Sequence, residues 1–370
     1  TVATRWVFSW AQGLDFRRIH PSLWSTLTAL ATLAATGAFA QSSVQIDGVF
    51  DAGYQAIDYK GNKVSGIGNN GASTSQINLR GTEDLGGGLK ANFRIETDMN
   101  TVNRDGNKAG GQGAFGNGEI RVGLAGGFGS IDAGAVNYNS LNTALVGQPF
   151  GTNYGSGFGA TLASLVRSDN SVKYVSPTFS GLSVSLYNAQ KQTKPNASYA
   201  NGGASSNPFV FDATGADEIG VNYANGPIAA SFSNLKTKAA TGVNTTYNTL
   251  GANYAFGAAK LFALMQDKKV SDSSDKTSYF TVSGTYTIGA TTLLAQFGEL
   301  KDKAGTNNGK KSKLAAIGAS YALSKRTDVY ARYESIDDKA GVIALTSATG
   351  FDTYTSDKRT RTAIGVKHSF

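Results

Sequence analysis

The chain has 370 residues, a formal net charge of +8, 46 glycines and no cysteine. That composition excludes a disulfide framework and any thiolate metal centre, and after Ala40 no window is apolar enough for a membrane-spanning helix. Two histidines, His20 and His368, leave a Ser-His-Asp site without a credible base. In chain order, Arg17, Arg18 and His20 precede an apolar, uncharged run over residues 23–40. A basic region, a short apolar core and small residues before Gln41 predict a secretory signal peptide, with residues 1–40 a leader cleaved after Ala40. Its strongly apolar part, about 23–35, is shorter than the roughly 20 residues of a span.

From there the pattern is period 2. The first strand is predicted at about 44–57, with Val44, Ile46, Phe50, Ala52, Tyr54 and Ala56 on one face and Gln45, Asp47, Asp51 and Gln55 on the other. The second and third strands flank residues 83–88. Ile77, Leu79, Leu89, Ala91, Phe93 and Ile95 share one face, and Asn78, Arg80, Lys90, Arg94 and Glu96 the other. Charges confined to one face are what a half-buried strand requires. Seven short turns fall near residues 84–88, 125–129, 176–181, 224–227, 255–258, 288–291 and 323–327. Eight longer segments rich in Asn, Gly, Ser, Lys and Asp centre near 65, 108, 150, 202, 241, 272, 306 and 345. Fifteen connections imply sixteen strands, with short turns on one rim and long loops on the other, the pattern of outer-membrane barrels. Tyr254, Tyr286, Tyr321, Tyr333 and Phe370 lie on apolar faces near predicted strand ends, as interfacial girdles do. A propeller would show a blade period, which is absent, and a soluble sandwich of this length as one unit is unusual.

The segment 362–370 alternates with Ile364, Val366, His368 and Phe370 on one face. This ending resembles the C-terminal signal that outer-membrane barrels present to their assembly machinery. Other strings resemble general diffusion porins of the β-proteobacterial type. Arg80-Gly-Thr-Glu-Asp-Leu-Gly-Gly-Gly-Leu-Lys90 is similar to their first periplasmic hairpin, Asp169-Asn-Ser-Val-Lys-Tyr-Val-Ser-Pro-Thr-Phe-Ser-Gly181 to the strand entering the third turn, and Leu323-Ser-Lys-Arg-Thr-Asp328 to the last turn. The resemblance covers 41–370. It implies an all-β fold: a sixteen-stranded antiparallel transmembrane barrel, homotrimeric, in the outer membrane, with its third outer loop folded into the lumen. It implies passive diffusion of ions and small hydrophilic solutes, no cofactor and no catalysis. Expected partners are outer-membrane lipid, lipopolysaccharide and the barrel-assembly machinery. Nucleic acid is not among them, because the basic residues are scattered and lack a reading element.

The third loop is expected at about 136–166, a stretch without Asp, Glu, Lys or Arg. It contains Gln148, Pro149, Phe150 and Gly151, close to the Pro-Glu-Phe-Gly type of string that porins carry at their constriction, here without the acid. Opposite it, Arg80, Arg94, Arg121 and Lys173 belong to the inward set, Lys90 is expected to line the pore with them, and Asp47, Asp51, Glu96 and Asp132 are the balancing carboxylates. Where related chains often carry an Arg after the fifth strand, this one reads Gly134-Ala-Val136. The expectation is an anion-preferring eyelet, since charged rings set selectivity in such pores. The alternative is a substrate-specific channel. Tyr138, Phe150, Tyr154 and Phe158 would then form an aromatic ladder, and the loops near 190–215 and 335–358 would bind a solute.

Overall fold

The computed structural model describes residues 42–104, 115–157, 166–190, 215–239, 241–271, 275–304, 307–339, 345–346 and 355–370. The predicted signal peptide, Phe158, the segments near 108 and 202 and most of the loop near 345 lie outside the described residues. Six strands come first: β1 (Ser43–Tyr59), β2 (Asn62–Asn69), β3 (Gln76–Gly86), β4 (Leu89–Asp98), β5 (Ile120–Gly126) and β6 (Gly129–Asn137). A helix, α1 (Asn139–Val146), precedes β7 (Arg167–Val175), β8 (Leu182–Ala189), β9 (Gly215–Asn225), β10 (Ile228–Lys238) and β11 (Asn244–Phe256). Then come β12 (Ala259–Val270), β13 (Lys276–Ile288), β14 (Thr291–Asp302), β15 (Lys311–Ala322) and β16 (Thr327–Asp337). The two-residue strands β17 (Leu345–Thr346) and β18 (Thr355–Ser356) pair with each other, and β19 (Lys358–Ser369) is last.

Each strand from β3 to β16 pairs antiparallel with the next. β16 pairs with β19, β19 with β1, and β1 with β3, which closes a sixteen-stranded barrel. The count agrees with the sequence; one element of it does not. The segment near residue 65, expected as a loop, is the strand β2. The far half of β1 pairs with it from Ala52↔Asn69 to Tyr59↔Asn62, while the near half pairs with β3. The second stave of the barrel is therefore split at 70–75. The turn is tight: Lys60 and Gly61 take φ of 53° and 100°, and Asp58 Oδ1 accepts the Gly61 N–H at 2.6 Å. Gly, Asn and Ser mimic a loop by composition, and Val64 and Ile67, three residues apart, fall on opposite faces, so the strand is defined by its pairing with β1 and not by a period-2 pattern. The connections near 241 and 272 are also short, at 239–243 and 271–275.

Burial is inverted relative to a soluble protein. On β13, Phe280 and Val282 are exposed while Thr277, Tyr279, Thr281 and Ser283 are buried. The same alternation on β12 exposes Leu261 and Met265 and buries Leu264 and Gln266. Apolar side chains outward and polar ones inward is the arrangement of a barrel with lipid outside and a polar interior.

The closing seam is covered on its outer face. Phe370 N–H donates to Gly48 O at 3.1 Å and Gly48 N–H to Phe370 O at 3.2 Å. The Phe370 ring lies 5.3 Å from that of Phe50. A Cβ at Gly48 would sit 2.5 Å from Phe370 Cζ, so glycine at 48 makes room for the ring. Replacing Phe370 by Asp removes the ring pair and puts a carboxylate at the rim, together costing about 1–2 kcal/mol. The expected outcome is a reduced yield of folded, heat-modifiable protein on unheated gels. An unchanged yield would show that the seam does not depend on this residue.

Candidate functional site: a charged inner wall and its tethered helix

Strand register sets the site. Arg80 lies directly opposite Arg94, and Arg94 directly opposite Arg121, on three adjacent strands. Like charges in opposed positions repel, and carboxylates separate them here. Arg80 Nε pairs with Asp47 at 3.0 Å. Arg94 pairs with Glu96 and with Glu119, the latter at 2.8 Å, and donates to Asn78 Oδ1 at 2.9 Å. Arg121 pairs with Asp132 and donates to Asn92. Arg167, at the start of β7, reaches Glu96 at 3.8 Å and Asp98 at 3.7 Å. Lys173 stands opposite Asp132 and donates to Asn137 O at 2.9 Å.

The acids and bases are layered. The side chains of Glu96 and Glu119 are 8% exposed, against 17% for Arg94 and 27% for Arg121. Asp132 is 11% exposed. The carboxylates sit against the wall and the guanidiniums cover them. Two other residues of the expected wall do not join this cluster. Lys90 is exposed at the turn end, opposite Asp84 and Ala125. Asp51 faces another strand: it accepts the Tyr330 hydroxyl and the backbone N–H groups of Gly71, Ala72 and Ser73. As a balancing charge for the arginines it is therefore misplaced, because ring closure sets β19 beside β1, and Tyr330 of β16 reaches Asp51 across β19.

The segment after β6 is tied to the wall at two places. At the first, α1 begins with its Asn139 and Ser140 N–H groups donating to Glu218 on β9, the second at 2.7 Å. A carboxylate there offsets the unpaired donors and dipole of a helix start. Thr143 Oγ1 meets Ser231 Oγ at 2.7 Å, and Asn253 Nδ2 donates to Val146 O at 2.8 Å. Gly251 permits this approach, since a Cβ there would lie 2.1 Å from Thr143 O. The helix was not foreseen from sequence.

At the second place, Gly155 and Gly157 N–H both donate to Glu334 Oε2 at 3.1 Å. Glu334 is fully buried and is also paired with Arg359 at 3.2 Å and Arg361 at 2.7 Å. Arg361 lies over the Tyr154 ring at 4.2 Å and Arg332 over the Phe150 ring at 5.0 Å. Gln148 Nε2 donates to Gly151 O at 2.8 Å, closing the turn that contains Pro149. Tyr138, Phe150 and Tyr154 are all buried, so these three do not form an exposed aromatic ladder; Phe158 lies outside the described residues.

Sequence reading missed Glu119, Arg167, Glu218, Arg332, Glu334, Arg359 and Arg361. A signal existed for two of them, because Arg332 and Glu334 alternate with the outward Ala331 and Tyr333. Replacing Glu334 by Gln leaves Arg359 and Arg361 without a counter-charge. Breaking one partner of a buried ion pair costs about 3–5 kcal/mol. Amide hydrogen exchange at Gly155 and Gly157 should accelerate strongly while exchange in β11–β13 stays slow. Unchanged exchange at the two glycines would show that the carboxylate does not hold them.

A family model described as Gram-negative porin matches residues 26–341. Outer membrane porin protein 32 of Delftia acidovorans is 33% identical, with 93% of this chain and 99% of that protein covered. An outer membrane porin of Bordetella pertussis is 29% identical over the same shares. Among solved structures, the anion-selective porin from Comamonas acidovorans superposes with a TM-score of 0.69 at 27% identity, covering 89% of this chain and all of that one. OmpT of Vibrio cholerae in its trimer form shares the fold at 16% identity, with a TM-score of 0.63 and 89% and 99% coverage. A closed sixteen-stranded barrel, apolar outside and polar within, thus agrees with relatives along nearly its whole length, and the chain belongs to the Gram-negative porin family of outer-membrane diffusion channels.

Proposed function

We propose that the channel prefers anions, and that the segment from Tyr138 to Gly157 crosses the lumen and forms its constriction. The observation that carries this reading is the layering of charge. The carboxylates Glu96, Glu119 and Asp132 lie behind Arg94 and Arg121, and the segment facing them is free of charge. In a narrow passage between low-dielectric walls the nearer charges dominate the potential. The bonds from this segment to Glu218 on one side and to Glu334 and Gln55 on the other support its position across the barrel. The anion selectivity of the Comamonas acidovorans porin is in keeping with it.

Family membership supports the remaining roles. Residues 41–370 form the porin domain once the leader is removed, and the chain has no catalytic role. The trimeric form of the Vibrio cholerae neighbour supports a homotrimer. His368 and Val366, on the outward face of β19, and Phe370 just after it serve as the signal read by the assembly machinery. A channel specific for one solute is less well supported, since Tyr138, Phe150 and Tyr154 are buried.

Selectivity is tested by the reversal potential of purified protein under a KCl gradient in planar bilayers. The wild type should reverse on the anion side, and the preference should shrink with salt, as the screening length falls from about 10 Å at 0.1 M to about 3 Å at 1 M. Arg121→Gln with Lys173→Gln should move the potential toward cations, and Glu119→Gln with Asp132→Asn should move it the other way. A cation-selective wild type, or two double variants that leave it unmoved, would refute the assignment.

Orientation follows from the unequal rims, since outer-membrane barrels keep short turns inside and longer loops outside. Epitope tags near residues 202 and 345 should label on intact cells, and tags near 86 and 325 only after permeabilisation. Surface labelling at 86 or 325 would reverse the orientation.

A further inference from the structure

Arg332 points inward from the middle of β16 and is 8% exposed. Its Nε and Nη1 atoms are buried and find no hydrogen-bond acceptor. Among the described residues it makes no ion pair, whereas Arg359 and Arg361 on β19 both do. Two carboxylates stand nearby, and both are occupied. Glu334, two residues along β16, is shared by Arg359, Arg361 and two backbone donors. Asp51 acts on Arg332 from farther off, but its oxygens accept the Tyr330 hydroxyl and three backbone N–H groups. Arg332, Arg359 and Arg361 against Glu334 and Asp51 leave one positive charge over. A buried charge without a partner is costly, so this guanidinium calls for an anion that the chain itself does not supply.

The surroundings define that anion. Leu294 and Arg332 both stand opposite Gly318, and Gln296 and Glu334 both stand opposite Ala316. A Cβ at Gly318 would lie 3.0 Å from Arg332 Nη1, so glycine there makes room for the guanidinium. The Phe150 ring lies over it at 5.0 Å and packs with Leu294 and Ala316. Two glutamines of this region carry orphaned acceptors. Gln148 Nε2 is committed to Gly151 O at 2.8 Å and Gln296 Nε2 to Gly155 O at 3.1 Å, while both Oε1 atoms are buried and unpartnered. Donors without acceptors and acceptors without donors are satisfied together by a hydrated anion. The guanidinium donates to the ion, and a water donates one hydrogen to the ion and the other to a glutamine Oε1. Water alone would meet the hydrogen bonds and leave the charge. A divalent oxyanion would overshoot a single surplus charge and bring more acceptor sites than one guanidinium fills.

We propose that Arg332 holds a monovalent anion of chloride size between the wall formed by β14, β15 and β16 and the turn at residues 148–151, and that this ion fixes Phe150 and its turn against the wall. The site is distinct from the wall of Arg94 and Arg121, where carboxylates already pair the guanidiniums. It does not rest on the selectivity proposed above, because a channel of either preference would need the same counter-charge at Arg332.

Two measurements test it. In crystals of the purified protein with bromide in place of chloride, anomalous scattering should show a bromide peak within hydrogen-bonding reach of Arg332 Nε or Nη1, separate from any peak at Arg94 or Arg121. Arg332→Gln should lose that peak and keep the others. In detergent solution, protein carrying 4-fluorophenylalanine at position 150 should give one sharp fluorine resonance in chloride. At equal ionic strength in gluconate, an anion too large for the site, the resonance should shift and broaden, and titration with chloride should restore it saturably. The Arg332→Gln variant should give the same spectrum in both salts. Water at the site without an anomalous signal, a peak that survives in the variant, or a resonance indifferent to the anion would overturn the proposal. Should the variant fail to fold, the two wild-type measurements decide by themselves.

Discussion

Everything in this molecule depends on closure of the backbone ladder between β1 and β19. The register runs from Val49↔Ser369 to Asp58↔Thr360, and it removes the last two free edges. In lipid an unpaired backbone group has no water to turn to and costs several kcal/mol. An open sheet of these strands would carry a row of them. Closure also decides which side chains meet, because it sets the first strand beside the last and makes interior neighbours of residues 279 positions apart, Asp51 and Tyr330.

That dependence explains what could be read from the sequence. The strand number, the faces of β1, β3 and β4, and the placement of Arg80, Arg94 and Arg121 on one face all follow from period 2, which is local. The split of the second stave at 70–75 was hidden, since Gly, Asn and Ser signal a loop by composition and residues 62–69 carry no period-2 alternation. The partners of Asp51 were hidden for a different reason: they come from ring closure, and no spacing along the chain encodes it. The helix α1 was also out of reach. Its eight residues are too few to stand alone in water, and its stability comes from Glu218, Ser231 and Asn253 on strands far along the chain.

The two carboxylates that bind the segment after β6 work in different ways. Glu218 accepts donors at a helix start, where a negative charge is favoured by the backbone dipoles. Glu334 sits in a dry place and persists because two guanidiniums and two backbone donors satisfy it together. Burying a charge without such company would cost more than the contact returns. Both acids are thus committed to holding this segment.

The split stave has a mechanical consequence. A hoop of hydrogen-bonded strands resists shear wherever register is continuous, and a break in one stave is where it would yield. Here the gap at 70–75 is filled from the side. Asp51 grips three successive backbone donors inside it and the Tyr330 hydroxyl across the closing seam. Thr101 and Ser75 add bonds to the Asp51 carbonyl. One aspartate in the middle of β1 thereby joins the gap in the second stave to the closing seam.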